Sequence, residues 1–191
     1  MNQTTIFIKH LSFEKSMARL RKGVAYRNLE RPYTRVSKFR EKSFIRATPR
    51  VNIIKFTMGD PNGKFEYRLD LVSKDSIQIR HNALEASRLT VNRYLEKKLG
   101  KKGYHFKLRV YPFHILRENP IAAGAGADRV SKGMKQSFGK PIGSAAQINA
   151  GQSIMFVDVN KADIPVAKTA LERAIKKLPC KCTIKISEIK A

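Results

Sequence analysis

Apolar residues are distributed very differently on the two sides of Val51. From Val51 to Met58, apolar and β-branched residues run together until Gly59-Asp60-Pro61-Asn62-Gly63, a dense turn signal, so a strand is predicted over 51–58. Phe65, Tyr67, Leu69 and Leu71 then alternate with Glu66, Arg68 and Asp70, as in a strand with one wet face. Ile77 and Ile79 predict a short third strand. From about Asn82 to Leu99 the spacing becomes helical. Ala83, Leu84, Val91, Tyr94 and Leu95 share one face, Glu85, Arg93, Glu96 and Lys97 point away, Asn82 is placed to cap the start, and Gly100 stops the helix. Tyr104, Phe106, Leu108 and Val110 alternate again, with His105, Lys107 and Arg109 on a cationic outer face.

Two further strands are predicted at Ala145–Ile148 and Ser153–Val159, around Ala150-Gly151. A second helix follows from near Asp163 to Leu178, with Pro165 tolerable in its first turn and a stripe of Ile164, Ala167, Leu171, Ala174, Ile175 and Leu178. The last strand turns Cys182, Ile184 and Ile186 inward and Lys181 and Lys185 outward. Six or seven strands and two helices without regular βαβ alternation predict an α+β fold. In it, both helices pack on one mixed or antiparallel sheet.

Two stretches carry neither period. Pro112 to Gly143 holds five of the chain's eleven glycines, interspersed with Arg129, Lys132, Lys135 and Lys140. Long aperiodic stretches inside a compact domain are usually functional loops or disordered, and glycine lets a partner approach the main chain. This one reads as a basic loop ordered against nucleic acid; the alternative is a solvated surface loop. The other stretch, Met17 to Arg50, has eleven Lys and Arg against Glu30 and Glu41, with Tyr26, Tyr33, Phe39 and Phe44 interleaved. Such an arm can stack aromatics on bases or anchor them on its own domain. In the isolated protein it can also be a disordered tail. Residues 1–16 are nearly neutral and read as an upstream extension, a non-native or alternative start with little role in the fold. The expected organisation is therefore extension 1–16, arm 17–50 and core 51–188, with loop 117–144 inside the core.

Charge narrows the partners. With 39 Lys and Arg against 15 Asp and Glu in 191 residues, the net charge is +24. Self-repulsion on that scale calls for an anion, either nucleic acid or an anionic membrane surface. No apolar run approaches the roughly 20 residues of a membrane span, and Thr4–Leu11 is broken by Lys9 and His10, unlike a secretory leader. Nucleic acid is the expected partner. The phosphate-binding candidates are Arg19, Arg21, Lys22, Arg27, Arg31, Arg35, Arg40 and Arg46 on the arm, Lys107 and Arg109 on one strand, and Lys181 and Lys185 on another.

Catalytic and metal chemistry find little support. His10, His81, His105 and His114 show no ligand spacing, and Cys180-x-Cys182 lacks the second pair of a zinc site, so both cysteines read as small face residues of a strand in a reducing cytoplasm. Gly124-Ala-Gly126-Ala-Asp128-Arg129 is not a dinucleotide fingerprint, and no P-loop or nucleophile elbow occurs. An RNA-modifying enzyme and a free tRNA- or RNA-binding regulator remain as alternative classes. The first requires a pocket with convergent polar groups, the second tight RNA binding outside any particle.

Specific motifs carry a resemblance. VAYRNLERPYTR (24–35), PFHILREN (112–119), GAGADRVSKGM (124–134) and SFGKPIG (137–143) resemble the large-ribosomal-subunit protein family called L-sixteen in bacteria and L-ten in archaea and eukaryotes, the archaeal wording most closely. The likeness runs from Met17 to about Ile186; the segment before Met17 departs from it. The resemblance implies an α/β-hammerhead-like domain on large-subunit rRNA among neighbouring ribosomal proteins, in cytoplasmic ribosomes. It implies no enzymatic activity, cofactor, metal, small-molecule substrate, membrane or homo-oligomer. On that analogy Ala125–Phe138 is a loop tip near tRNA and the peptidyl-transferase centre. Gly126, Asp128, Arg129, Lys132, Gly133, Met134, Lys135, Phe138, Gly139 and Lys140 are its candidate residues.

Overall fold

The structure, a computed structural model, describes residues 20–34, 37–45, 47–119 and 139–189. Along these the elements are β1 (Thr57–Gly59), β2 (Tyr67–Ser73), β3 (Ile77–Arg80), α1 (His81–Leu99), β4 (His105–Leu108), β5 (His114–Glu118), β6 (Lys140–Ile148), β7 (Ser153–Val159), α2 (Ile164–Ile175) and β8 (Cys182–Glu188). Single turns of 3-10 helix occur at Gly23–Tyr26, Arg40–Lys42 and Lys161–Asp163.

The strands form two antiparallel sheets rather than the single sheet expected. One has five strands in the order β1-β4-β7-β2-β8, the other three in the order β3-β6-β5. The reason lies in two adjoining corners, where the chain passes from one sheet to the other. At the first, β2 ends at Ser73, whose hydroxyl donates to the carbonyl of Asp75 at 2.8 Å, and the chain leaves for β3. At the second, β6 passes into β7 through Asn149–Gln152. The corners are joined by Ser73 N–H to the Gln152 carbonyl (3.0 Å) and Gly151 N–H to the Ser73 carbonyl (2.8 Å). Strand corners that switch sheets are a standard way to enclose a core between layers.

That core lies between the five-stranded sheet and the helices. Register places Leu69 opposite Val157, Leu71 opposite Met155, and Phe106 and Leu108 opposite Val157 and Met155, which gives one apolar face. Leu84, Val91 and Leu95 of α1 and Ala167, Ala170, Leu171 and Ala174 of α2 meet it and are fully buried. The small residues of α2 let the two helices approach closely. Ile79, Ala146 and Ile148 extend the same core beneath the three-stranded sheet.

Several expectations need correction. Of Val51–Met58 only the last two residues reach a ladder. The rest lies across α1 as a strap, with Ile53 buried and the Asn52 N–H donated to Nδ1 of His81 (3.1 Å). That strap buries Glu85, which was expected in solvent. Its carboxylate takes two bonds from Arg88 (2.6 and 2.8 Å), and Arg88, helped by the Ile54 backbone, holds it below the usual carboxylate range despite burial. Helix α1 begins at His81 after Arg80, with no side-chain cap from Asn82. Ile186 was expected inward but is 51% exposed, because β8 is an edge strand with no further strand beyond it among the described residues. Finally, the aperiodic stretch contains β5 and the first half of β6. Strand β5 is covered on both faces, so it has no alternation to read.

Candidate nucleic-acid interface

The arm is not a free tail over its described part. Residues 20–34 run along the outer face of the three-stranded sheet, fastened chiefly through their main chain. The strands supply the partners because their side chains alternate. Ile77 and Ile79 enter the core, so Gln78 and Arg80 face the arm; Ala146 and Ile148 enter it, so Gln147 does too. Gln78 donates its main-chain N–H to the Arg27 carbonyl (3.0 Å) and its amide to the carbonyl of Asn28. The Gln147 amide donates to the Glu30 carbonyl (2.8 Å), and Arg80 donates to the Arg21 carbonyl (2.8 Å) while lying over the Tyr26 ring. Tyr33 donates its N–H to Nδ1 of His114 (2.9 Å) and accepts from Ile115 N–H (3.2 Å). An imidazole that accepts must be unprotonated. Burial lowers the pKa of His114, aided by Arg117 and opposed by Glu30; burial, then Arg80, lowers that of His81.

Fastening by main chain leaves the cations free to face outward. Lys22, Arg27 and Arg31 are exposed. Arg21 is the exception, since its guanidinium pairs with Glu118 at the end of β5. Arg19, Arg35 and Arg46 lie outside the described residues, and Arg40 sits in the 3-10 turn Arg40–Lys42.

The strand cations gather on a second surface, the face of the five-stranded sheet turned away from the helices. Lys107 stands in register with Phe156, Asp70 and Lys185 across four strands. This face is less purely cationic than the sequence suggested. Asp158 binds Arg68 through two bonds (2.7 and 3.0 Å) and His105 at 3.1 Å, and Asp70 lies 3.8 Å from Arg109. Arg68 also covers the Phe156 ring at 4.1 Å. Lys107 and Lys185 remain exposed, and Lys181 is exposed in the turn before β8, where Asp75 accepts its main-chain N–H (3.1 Å).

The loop candidates divide. Gly126, Asp128, Arg129, Lys132, Gly133, Met134, Lys135 and Phe138 lie outside the described residues. Gly139 and Lys140, assigned to the loop, instead form its neck, where β6 begins and Lys140 pairs with Glu118. Gly139 has φ +87°, and a Cβ there would stand 2.6 Å from the carbonyl carbon of Glu118, so glycine is required at this point. The side chains that clamp the arm, namely Gln78, Gln147, Arg80 and His114, were missed. Gln78, Arg80 and Gln147 show in the sequence only as polar residues alternating with apolar ones in IQIR and AAQI, and His114, in the covered strand β5, shows no such alternation.

Cys180 is buried and Cys182 half-buried, with sulfurs 3.5 Å apart. The bond from Cys182 draws the Cys180 thiol down to about 7 and pushes that of Cys182 up. Among the described residues no three His, Cys, Asp or Glu side chains gather as a metal site, and no helix is long and apolar enough to cross a membrane.

Comparison with known proteins decides the family. Residues 30–185 match the family model described as ribosomal protein L16p/L10e. The chain belongs to this family. Proteins named large ribosomal subunit protein uL16 are similar over most of its length. That of Methanococcus maripaludis strain S2 is 46% identical over 170 residues, covering 88% of this chain and 95% of its own. Those of Staphylothermus marinus and Hyperthermus butylicus are 46% and 45% identical over 159 residues, covering 83% of this chain and 88% and 85% of their own. These relatives are archaeal, in line with the archaeal wording of the motifs. Membership of the L16p/L10e family makes the chain a structural constituent of cytoplasmic ribosomes and not an enzyme.

Proposed function

We propose that this L16p/L10e-family chain grips large-subunit rRNA with its arm and outer sheet face, and supports tRNA positioning near the peptidyl-transferase centre through the loop that leaves the neck at Glu118 and Lys140. The observation that carries the reading is the mode of arm attachment. The sheet holds the arm's carbonyls and amides through Gln78, Gln147 and His114, so Lys22, Arg27 and Arg31 are free to meet phosphates. Phosphate contacts position a protein on RNA without reading sequence, which suits a structural role. The loop's own charges, Arg129, Lys132 and Lys135, and Lys140 at its neck suit contact with rRNA or with tRNA held at the active centre. Peptide-bond formation stays with the RNA, and neighbouring ribosomal proteins complete the surroundings.

The reading is tested with particles assembled around a chain lacking residues 125–135. The shortened protein is expected to sediment with large subunits through a high-salt wash, because arm and sheet are intact, yet those particles should bind P-site tRNA poorly or stall in maturation. Normal tRNA affinity and maturation would remove the loop from the account. Loss of the intact chain from washed subunits would remove the rRNA contact.

A further inference from the structure

The arm's aromatic residues differ in how far they are covered. Tyr26 is half-buried beneath Arg80. Tyr33 is fixed by its main-chain bonds to His114 and Ile115, and its hydroxyl donates to the Phe44 carbonyl at 3.0 Å. The Arg117 guanidinium sits 3.8 Å from the Tyr33 ring centre. Phe44 lies nearly parallel to Tyr33, with 10° between ring planes and 6.2 Å between centres. Phe44 is nevertheless 59% exposed. Its position is built, because Ile45 next to it is buried, and Ser37 and Ser43 close the preceding turn. The Ser37 N–H donates to the Ser43 hydroxyl at 2.7 Å, and that hydroxyl donates to the Ser37 carbonyl at 3.1 Å.

Tyr33, Phe44 and Arg117, with Arg31, Pro32 and Thr34, line an open cavity of about 540 Å³. Among the described residues its walls are two aromatic rings and two guanidinium groups, with no aliphatic side chain larger than proline and no carboxylate. An apolar protein segment would find little to bury in it, and a cationic one would be repelled. Unpaired nucleobases stack on both aromatic and guanidinium planes, and the phosphate beside each base requires a cation.

We propose that this cavity receives an unpaired nucleobase of large-subunit rRNA, stacked on Phe44, with Arg31 meeting the adjoining phosphate. The site rests on the rRNA-binding reading and adds a point of base contact to an interface otherwise made with phosphates. Because Tyr33 is tied to β5 through His114 and Ile115, and Phe44 to Tyr33 through the tyrosine hydroxyl, a captured base would be held at a fixed place relative to the loop neck at Glu118.

The test uses the full chain and transcribed large-subunit rRNA, comparing wild type with Phe44→Leu, which keeps an apolar side chain, and Phe44→Tyr, which keeps a ring. Phe44→Leu should weaken binding roughly fivefold to a hundredfold, as loss of one stacked base does, with the salt slope and thermal midpoint unchanged. Phe44→Tyr should restore the affinity. Irradiation at short ultraviolet wavelength should cross-link a base to Phe44 or Tyr33 in wild type and lose the Phe44 product in Phe44→Leu. Wild-type affinity and cross-linking elsewhere in Phe44→Leu would overturn the stacking site while leaving the rRNA reading intact. Failure of the wild-type chain to bind the transcript would overturn that reading and the site with it. A lowered midpoint for Phe44→Leu would make Phe44 a packing residue, and cross-linking of Phe44 only to a neighbouring protein in assembled subunits would give the cavity to a protein; either result overturns the proposal.

Discussion

Arg21 and Glu118, 97 residues apart, form an ion pair that ties the start of the arm to the neck of the long loop. Glu118 is buried there and is also the residue opposite Lys140 in the β5–β6 pairing. Arm and loop are therefore held by one residue, although they lie far apart in the chain. Arg21→Ala should cost about 0.5–1 kcal/mol of stability at most, since the arginine is largely exposed and such pairs are weak. Its larger effect should be local, as faster hydrogen exchange at the Gln78 amide that bonds the Arg27 carbonyl. Unchanged exchange there would separate the ion pair from arm docking.

The neck makes a second prediction, sharpened by a comparison inside the same chain. Gly139 and Gly100 both have positive φ, +87° and +72°. A Cβ at Gly100 would meet nothing within 4 Å, whereas one at Gly139 would press on the Glu118 carbonyl carbon at 2.6 Å. Gly100→Ala should cost about 1–3 kcal/mol from the backbone alone, because φ +72° with ψ −176° is a conformation essentially confined to glycine. Gly139→Ala should cost more, or spread the neck. Equal losses in thermal or denaturant unfolding would show that the neck yields freely.

Acid should loosen the arm and the 51–58 strap. His81 and His114 accept main-chain N–H groups from Asn52 and Tyr33, and burial lowers both pKa values below the ordinary 6.5. The unfolded chain then takes up protons near pH 6.5 that the folded chain refuses. Their contribution to stability is thus complete above pH 6.5 and is lost as pH falls below it. His114→Gln, which can still accept a bond, should flatten that part of the stability profile. A wild-type profile flat between pH 7 and 5 would contradict the acceptor assignment.

Scaffold and surface should separate cleanly. Leu171 is fully buried where α2 meets the sheet and α1, so Leu171→Ala should cost roughly 2–5 kcal/mol through the cavity it leaves. Lys107 is exposed on the opposite face of the sheet, and Lys107→Ala should leave the unfolding midpoint nearly unchanged while weakening attachment to rRNA. Denaturant unfolding of both variants checks the first statement, and rRNA affinity the second.

Much of this architecture was legible because exposure on one side imprints a period. Leu84, Val91 and Leu95, or Phe106 and Leu108, alternate with wet positions and announce their elements. Strand β5 could not be read in that way: His114, Ile115, Leu116 and Glu118 are all buried, some by the core and some by the arm. Glu85 likewise looked like a solvent-facing residue until the 51–58 strap covered it. Of the interface, the cations were visible as composition, since exposed charge needs no tertiary partner to be recognised. The clamps were not, because a glutamine in a strand becomes an arm-holder only once another segment lies against it.

The central claim is that the arm meets rRNA through charges its main-chain fastening leaves free, and a salt titration addresses it most directly. Binding of the full chain to transcribed large-subunit rRNA should be measured over a range of salt for wild type and for Lys22→Gln with Arg27→Gln. Both residues are exposed, so the fold should persist. The account predicts weaker binding and a log–log slope shallower by about 0.7–0.9 for each phosphate contact removed. A slope identical to that of wild type would contradict it.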